Sequence, residues 1–146
     1  MKIYLDNCCL QRPLDDKSQG RIQLESEAIL AILTLCEAQK ISLVSSDVLE
    51  FELDKNPHPQ RKAYVTEILA KAEIFVEVDR KITQRAKALE ALGFKGVDAL
   101  HLACAEAEGV DYFCSCDDKL FKRARLLNTL LIKVVSPLEL AEEIIE

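Results

Sequence analysis

The sequence predicts an α/β protein, with a mainly parallel sheet and helices packed on both of its faces. Short apolar runs alternate along the whole chain with longer stretches of helical apolar spacing, the pattern of successive strand–helix–strand units. Right-handed crossovers between parallel strands then put helices on either side. No repeat, low-complexity run or linker interrupts the alternation, so residues 1–146 are expected to form a single domain.

Residues 2–6 (Lys-Ile-Tyr-Leu-Asp) read as a short buried strand ending at Asp6. Gln11 to Gly20 is polar and reads as a loop, a candidate lid or substrate loop. Ile22, Leu24, Ala28, Ile29, Ile32, Leu33 and Cys36 then recur at helical spacing over 20–39. Residues 41–45 form a second strand, after which Ser46 or Asp47 caps a short helix through Leu53. Asn56-Pro57-His58-Pro59 breaks the chain, because proline fixes φ and removes a donor. A helix is expected over 60–72, a strand over 74–78, and helices over 82–92 and 97–108 that stop at Gly93 and Gly109. A strand at 112–115, a helix at 119–127 and a strand at 131–135 follow, and Pro137 opens the last helix.

The composition is that of a globular protein: 49% of the 146 residues are hydrophobic and 30% are charged. No stretch approaches the roughly 20 apolar residues of a membrane helix, and the early Asp6 argues against a secretory signal, so no membrane role and a cytoplasmic location are expected. The six cysteines show no paired C-x-x-C spacing. Reduced, buried thiols are the preferred reading, with a thiol metal site of Cys8, Cys114 and Cys116 as the alternative. A net charge of −6 excludes nucleic-acid binding through the overall field. A nucleic-acid partner has to be held by a local basic patch, by metal ions or by a second protein.

In open parallel sheets, active sites form beyond the carboxyl ends of the strands. Asp6 ends the first strand, Glu50 and Glu52 follow the second, and Asp117 follows the fourth; Asp98 sits in the first turn of a helix, where free N–H groups favour an ionised carboxylate. Taken singly, Asp98 and Asp117 are ordinary helix-start and turn residues. Asp6 lies among apolar neighbours, where an unpaired carboxylate is costly. Three or four carboxylates meeting at one point repel one another until a divalent ion such as Mg2+, an oxygen-preferring ion, relieves the repulsion. Such a site suits phosphodiester hydrolysis.

Four ordered segments carry a resemblance to a known family. They are Ile3-Tyr4-Leu5-Asp6-Asn7, the run Ser46 to Leu53, the helix Val97-Asp98-Ala99-Leu100-His101-Leu102-Ala103-Cys104-Ala105, and Tyr112 to Leu120 with its Ser115-Cys116-Asp117. The set resembles the PIN-domain ribonuclease family, which includes VapC-like toxins and their relatives. The resemblance implies a PIN-like three-layer α/β/α sandwich with a mainly parallel central sheet of about five strands. It implies a Mg2+- or Mn2+-dependent endoribonuclease cleaving single-stranded RNA, with Asp6, Glu52, Asp98 and Asp117 as catalytic and metal-binding carboxylates. Glu52 matches the family glutamate better than Glu50, the competing candidate; residues two apart on a helix point in different directions. Asn7 and Ser115 would support the site. A small antitoxin protein is the partner the family suggests, and a homodimer is allowed.

Lys119, Lys122 and Arg123, with Arg125, follow Asp117 and are candidates for holding substrate phosphate; Arg12 and Arg21 are candidates to join them from the loop. His101 reads as a packed or capping histidine rather than a ligand or general base. Two other functions compete: a catalytically inactive PIN-like module that binds RNA or protein, and a phosphohydrolase acting on DNA or small phosphates.

Overall fold

A computed structural model describes residues 1–127 and 130–145. Five parallel strands form one sheet in the order β3-β2-β1-β4-β5: β1 (Lys2–Leu5), β2 (Ser42–Ser46), β3 (Ile74–Val76), β4 (Tyr112–Cys114) and β5 (Lys133–Val135). Register is set at the centre, where Tyr4 pairs with Val44 on one side and Phe113 on the other. Successive side chains of a strand point to opposite faces. Ile3, Tyr4 and Leu5 are all fully buried, so both faces of β1 are covered. Helices therefore lie above and below the sheet, which is the three-layer arrangement expected.

The helices among the described residues are α1 (Asn7–Gln11), α2 (Gly20–Glu37), α3 (Asp47–Asp54), α4 (Pro59–Ala70), α5 (Arg80–Ala91), α6 (Gly96–Glu108), α7 (Asp118–Leu126) and α8 (Pro137–Ile144). α5 packs against α6, and α2 against α8. Gly109 takes a left-handed conformation (φ 69°) that ends α6, as its position after the periodic run predicts. Ser136 and Glu139 form a reciprocal capping box that starts α8.

Three expectations are corrected. Residues Asn7–Gln11 are helical, and Arg12–Leu14 form a 3-10 turn against α2, so the polar stretch is structured at its start. The third strand stops at Val76 rather than residue 78. The last strand begins at Lys133 rather than 131, where Leu131 is 81% exposed and has no sheet face to bury. No helix among the described residues is long and apolar enough to cross a membrane.

Candidate active site

The strand order reverses between β1 and β4: β2 and β3 lie on one side of β1, and β4 and β5 on the other. At such a switch point the connections leave in opposite directions and open a crevice beyond the strand ends. Asp6 leaves β1 there and Asp117 follows β4. A cleft of about 410 Å³ at this place is lined by Asp6, Glu52, Asp98 and Asp117 together with His101 and Arg61. Asn7, Cys8, Gln11 and Asp15 complete its wall. The four predicted carboxylates, separated by up to 111 residues in sequence, face one space (117 − 6).

Each is set by its local backbone. Asp6 caps α1, its Oδ1 accepting from the Cys9 amide at 3.1 Å and from the Cys8 thiol at 2.8 Å. Burial pushes its carboxyl well above the ordinary range, Cys8 adds to the shift, and the Ser115 hydroxyl pulls it back. Asp117 caps α7, accepting from the amides of Lys119 (2.9 Å) and Leu120 (3.4 Å), while its own amide donates to Ser115 Oγ at 3.0 Å. Asp98 lies in the first turn of α6. Its carboxyl is raised by burial and then by the charge of Asp117, with a smaller push from Glu52; His101 and Lys95 oppose the shift. These mutual influences are the repulsion that converging carboxylates produce.

Glu52 and Glu50 separate clearly. Glu52 is half-buried and lines the cleft, whereas Glu50 is exposed on the outer side of α3. Sequence reasoning missed what fixes Glu52. His101 is a packed, buried histidine, as expected, but it does not cap a helix: its Nε2 lies 2.5 Å from Glu52 Oε1 and its Nδ1 2.6 Å from the Tyr4 hydroxyl. Tyr4 lies 2.7 Å from Ser46 Oγ, which caps α3 by accepting from the Leu49 amide at 3.2 Å. A carboxylate only accepts, so His101 donates to Glu52 from Nε2. Ser46, Tyr4 and His101 form one hydrogen-bonded line from the start of α3 to the Glu52 carboxylate.

The basic residues divide into two groups. Lys119, Lys122 and Arg123 line a second cleft that shares Asp98 and Asp117 with the first. Arg123 also donates to the Leu92 carbonyl at 3.1 Å, packing where Gly93 leaves no Cβ. The other predicted cations are engaged elsewhere: Arg125 with Glu139, Arg21 with Asp118 and Glu25, and Arg12 with Asp15 and Glu25. Arg61 was not foreseen. It enters the acidic cleft from α4 and pairs with Asp15 at 2.8 Å.

A PIN-domain family model matches residues 3–126. The chain belongs to the PIN-domain family. PIN domains are generally nucleases, hydrolases that depend on divalent metal. Among solved structures, this PIN domain is similar to VapBC2 from Rickettsia felis bound to a DNA fragment from their promoter, with a TM-score of 0.55 and 16% identity over 93% of this chain and 98% of that one. Among curated proteins nothing matches.

Four carboxylates line the cleft beside the Cys8 thiol, and carboxylate oxygen is the donor type that Mg2+ and Mn2+ prefer. Among the described residues their oxygens do not all lie within 4.8 Å of one another, so holding one ion would require the carboxylates to draw closer. Arg61, the arginine on the cleft wall, is held by Asp15, and burial leaves the Asp6 charge costly without a cation.

Proposed function

We propose that this PIN domain is a Mg2+- or Mn2+-dependent endoribonuclease that cleaves single-stranded RNA, and that it acts as the toxin of a toxin–antitoxin pair. The observation that carries the reading is the gathering of Asp6, Glu52, Asp98 and Asp117 around one cleft. Asp6, Asp98 and Asp117 would hold the metal, with Glu52 completing the set. Once bound, a divalent ion activates water, neutralises phosphate charge and stabilises the leaving oxygen. Asp6 would also help orient the attacking water, and Glu52, held by His101, would be available as a proton acceptor. Ser115 hydrogen-bonds the Asp6 carboxyl and the Asp117 amide, and Asn7, on the cleft wall, would support the carboxylates from beside them. Lys119, Lys122 and Arg123 line the adjoining cleft, where the phosphates flanking the cut would lie.

Support for RNA comes from the family resemblance, and support for a small antitoxin partner from that resemblance and from the likeness to VapBC2. The sequence has no tryptophan and only three tyrosines, which favours recognition of phosphate and shape over base stacking. The test is a panel of single-stranded RNA, single-stranded DNA and a nucleotide, each with Mn2+ and with chelator. Metal-dependent cutting of RNA alone is expected. Cutting of DNA or the nucleotide indicates a different phosphohydrolase, and metal uptake without any cutting indicates an inactive binding module.

A further inference from the structure

Four of the six cysteines meet beneath the cleft, and the proposed nuclease chemistry uses none of them. α1 brings Cys8 and Cys9, and the end of β4 brings Cys114 and Cys116, across the switch point of the sheet. The sulfurs of Cys8, Cys9 and Cys116 all lie within 4.8 Å of one another, and those of Cys9 and Cys116 are 3.5 Å apart. The convergent trio includes Cys9 in place of the Cys114 anticipated from sequence; Cys114 stands behind it, 3.6 Å from the Cys9 sulfur. Zinc–sulfur bonds of about 2.3 Å at tetrahedral angles set sulfur–sulfur separations of roughly 3.8 Å. The trio is therefore near the spacing that one thiophilic ion imposes.

A way in is also present, and a carboxylate stands next to one of the sulfurs, although outside the 4.8 Å group that the three thiols form. Cys9 and Cys116 are buried, but Cys8 is half-buried and lines the acidic cleft, so an ion entering the cleft meets it first. The Cys8 thiol donates to Asp6 Oδ1 at 2.8 Å, which puts a carboxylate oxygen beside the sulfurs. The Arg12 guanidinium interacts with the Cys116 sulfur and balances negative charge there. Soft thiolates select zinc-like ions, while the carboxylates opposite select hard ones.

We propose that Cys8, Cys9 and Cys116 form a site for one thiophilic d10 ion of the Zn2+ class, with Asp6 as its fourth ligand. On binding, three sulfur–metal bonds form, and the protons still carried by the thiols leave to solvent as their S–H bonds break. Asp6 Oδ1, released from the Cys8 proton, turns to the ion. Sharing Asp6 makes the two sites exclusive, so a thiophilic ion displaces the hard ion and silences the enzyme; this exclusion rests on the nuclease reading above.

The probe is Cd2+, titrated into the reduced full chain in excess Mg2+ and followed by thiolate-to-metal absorption in the ultraviolet. Wild type is expected to saturate at one ion per chain, and Cys36→Ser, at a distant cysteine, to do the same. Cys116→Ser and the partly exposed Cys8→Ser are expected to lose the band while circular dichroism stays unchanged. A parallel Mn2+ titration reads the carboxylate site: Cd2+ should release bound Mn2+. No band in wild type, or an undiminished band in Cys8→Ser, overturns the thiol site even where Mn2+ binds. A normal band without any Mn2+ uptake leaves the thiol site standing and sinks the nuclease reading instead.

Discussion

His101 holds Glu52 through a 2.5 Å hydrogen bond from Nε2, and its other ring nitrogen is held in turn by Tyr4 at 2.6 Å. The two residues lie on α6 and α3, which pack together below the cleft. Fixing both nitrogens fixes the ring, and through it the carboxylate rotamer. His101 is thus a positioning residue for Glu52.

Replacing His101 with alanine frees Glu52 and leaves the Tyr4 hydroxyl without one of its partners. Activity is expected to fall roughly 10- to 100-fold, the usual effect of removing a group that orients a metal-site residue. Weaker Mn2+ uptake should accompany the loss, measured by calorimetry; a variant with both quantities unchanged removes His101 from the account of the site.

Tyr4→Phe deletes a fully buried hydroxyl between Ser46 and His101. Stability is expected to drop by about 1–3 kcal/mol, the cost of leaving buried polar partners unsatisfied. Denaturant unfolding of wild type and variant reads this directly, and a neutral change would show that the donors find other partners.

Much of the arrangement was readable from the chain. Asp6, Asp98 and Asp117 stand at strand or helix ends, which local pattern and turn chemistry reveal without coordinates. The Glu52–His101–Tyr4–Ser46 line was not readable, since it joins side chains from two helices and two strands that only the sheet order brings together. α1 was missed for a different reason: Cys8, Cys9 and Leu10 are consecutive apolar residues in a five-residue helix, too short for any period to emerge. Arg61 falls in the helix expected over 60–72, but nothing in the local pattern shows that the fold brings the start of α4 beside the acidic cleft.

Proton linkage gives a prediction of definite sign. Burial raises the Asp6 and Asp98 carboxyls in the folded state. Between the ordinary carboxylate range and those raised values, the folded chain binds more protons than the unfolded one, so the contribution of these groups to stability falls as pH rises through that window. In chelator, the melting temperature of wild type relative to an Asp6→Asn/Asp98→Asn double variant should decline from mildly acidic to neutral pH. A difference that grows with pH contradicts the burial assigned to these carboxyls.

Lys119 and Lys122 are exposed on α7 beside the shared acids. Alanine at both is expected to raise KM several-fold with little change in kcat. The salt dependence of RNA binding should also weaken, by about one unit of slope for each phosphate left without its lysine. Binding measured across a salt series checks it; an unchanged slope places the phosphates elsewhere.

Asp98→Asn supplies the sharpest measurement, because two of its effects run in opposite directions. Its charge is opposed by Asp117 and by burial, so the substitution should raise the melting temperature in chelator while abolishing both Mn2+ uptake and RNA cleavage. A purified Asp98→Asn protein that takes up Mn2+ and cuts RNA as wild type does would contradict a divalent ion held among these four carboxylates.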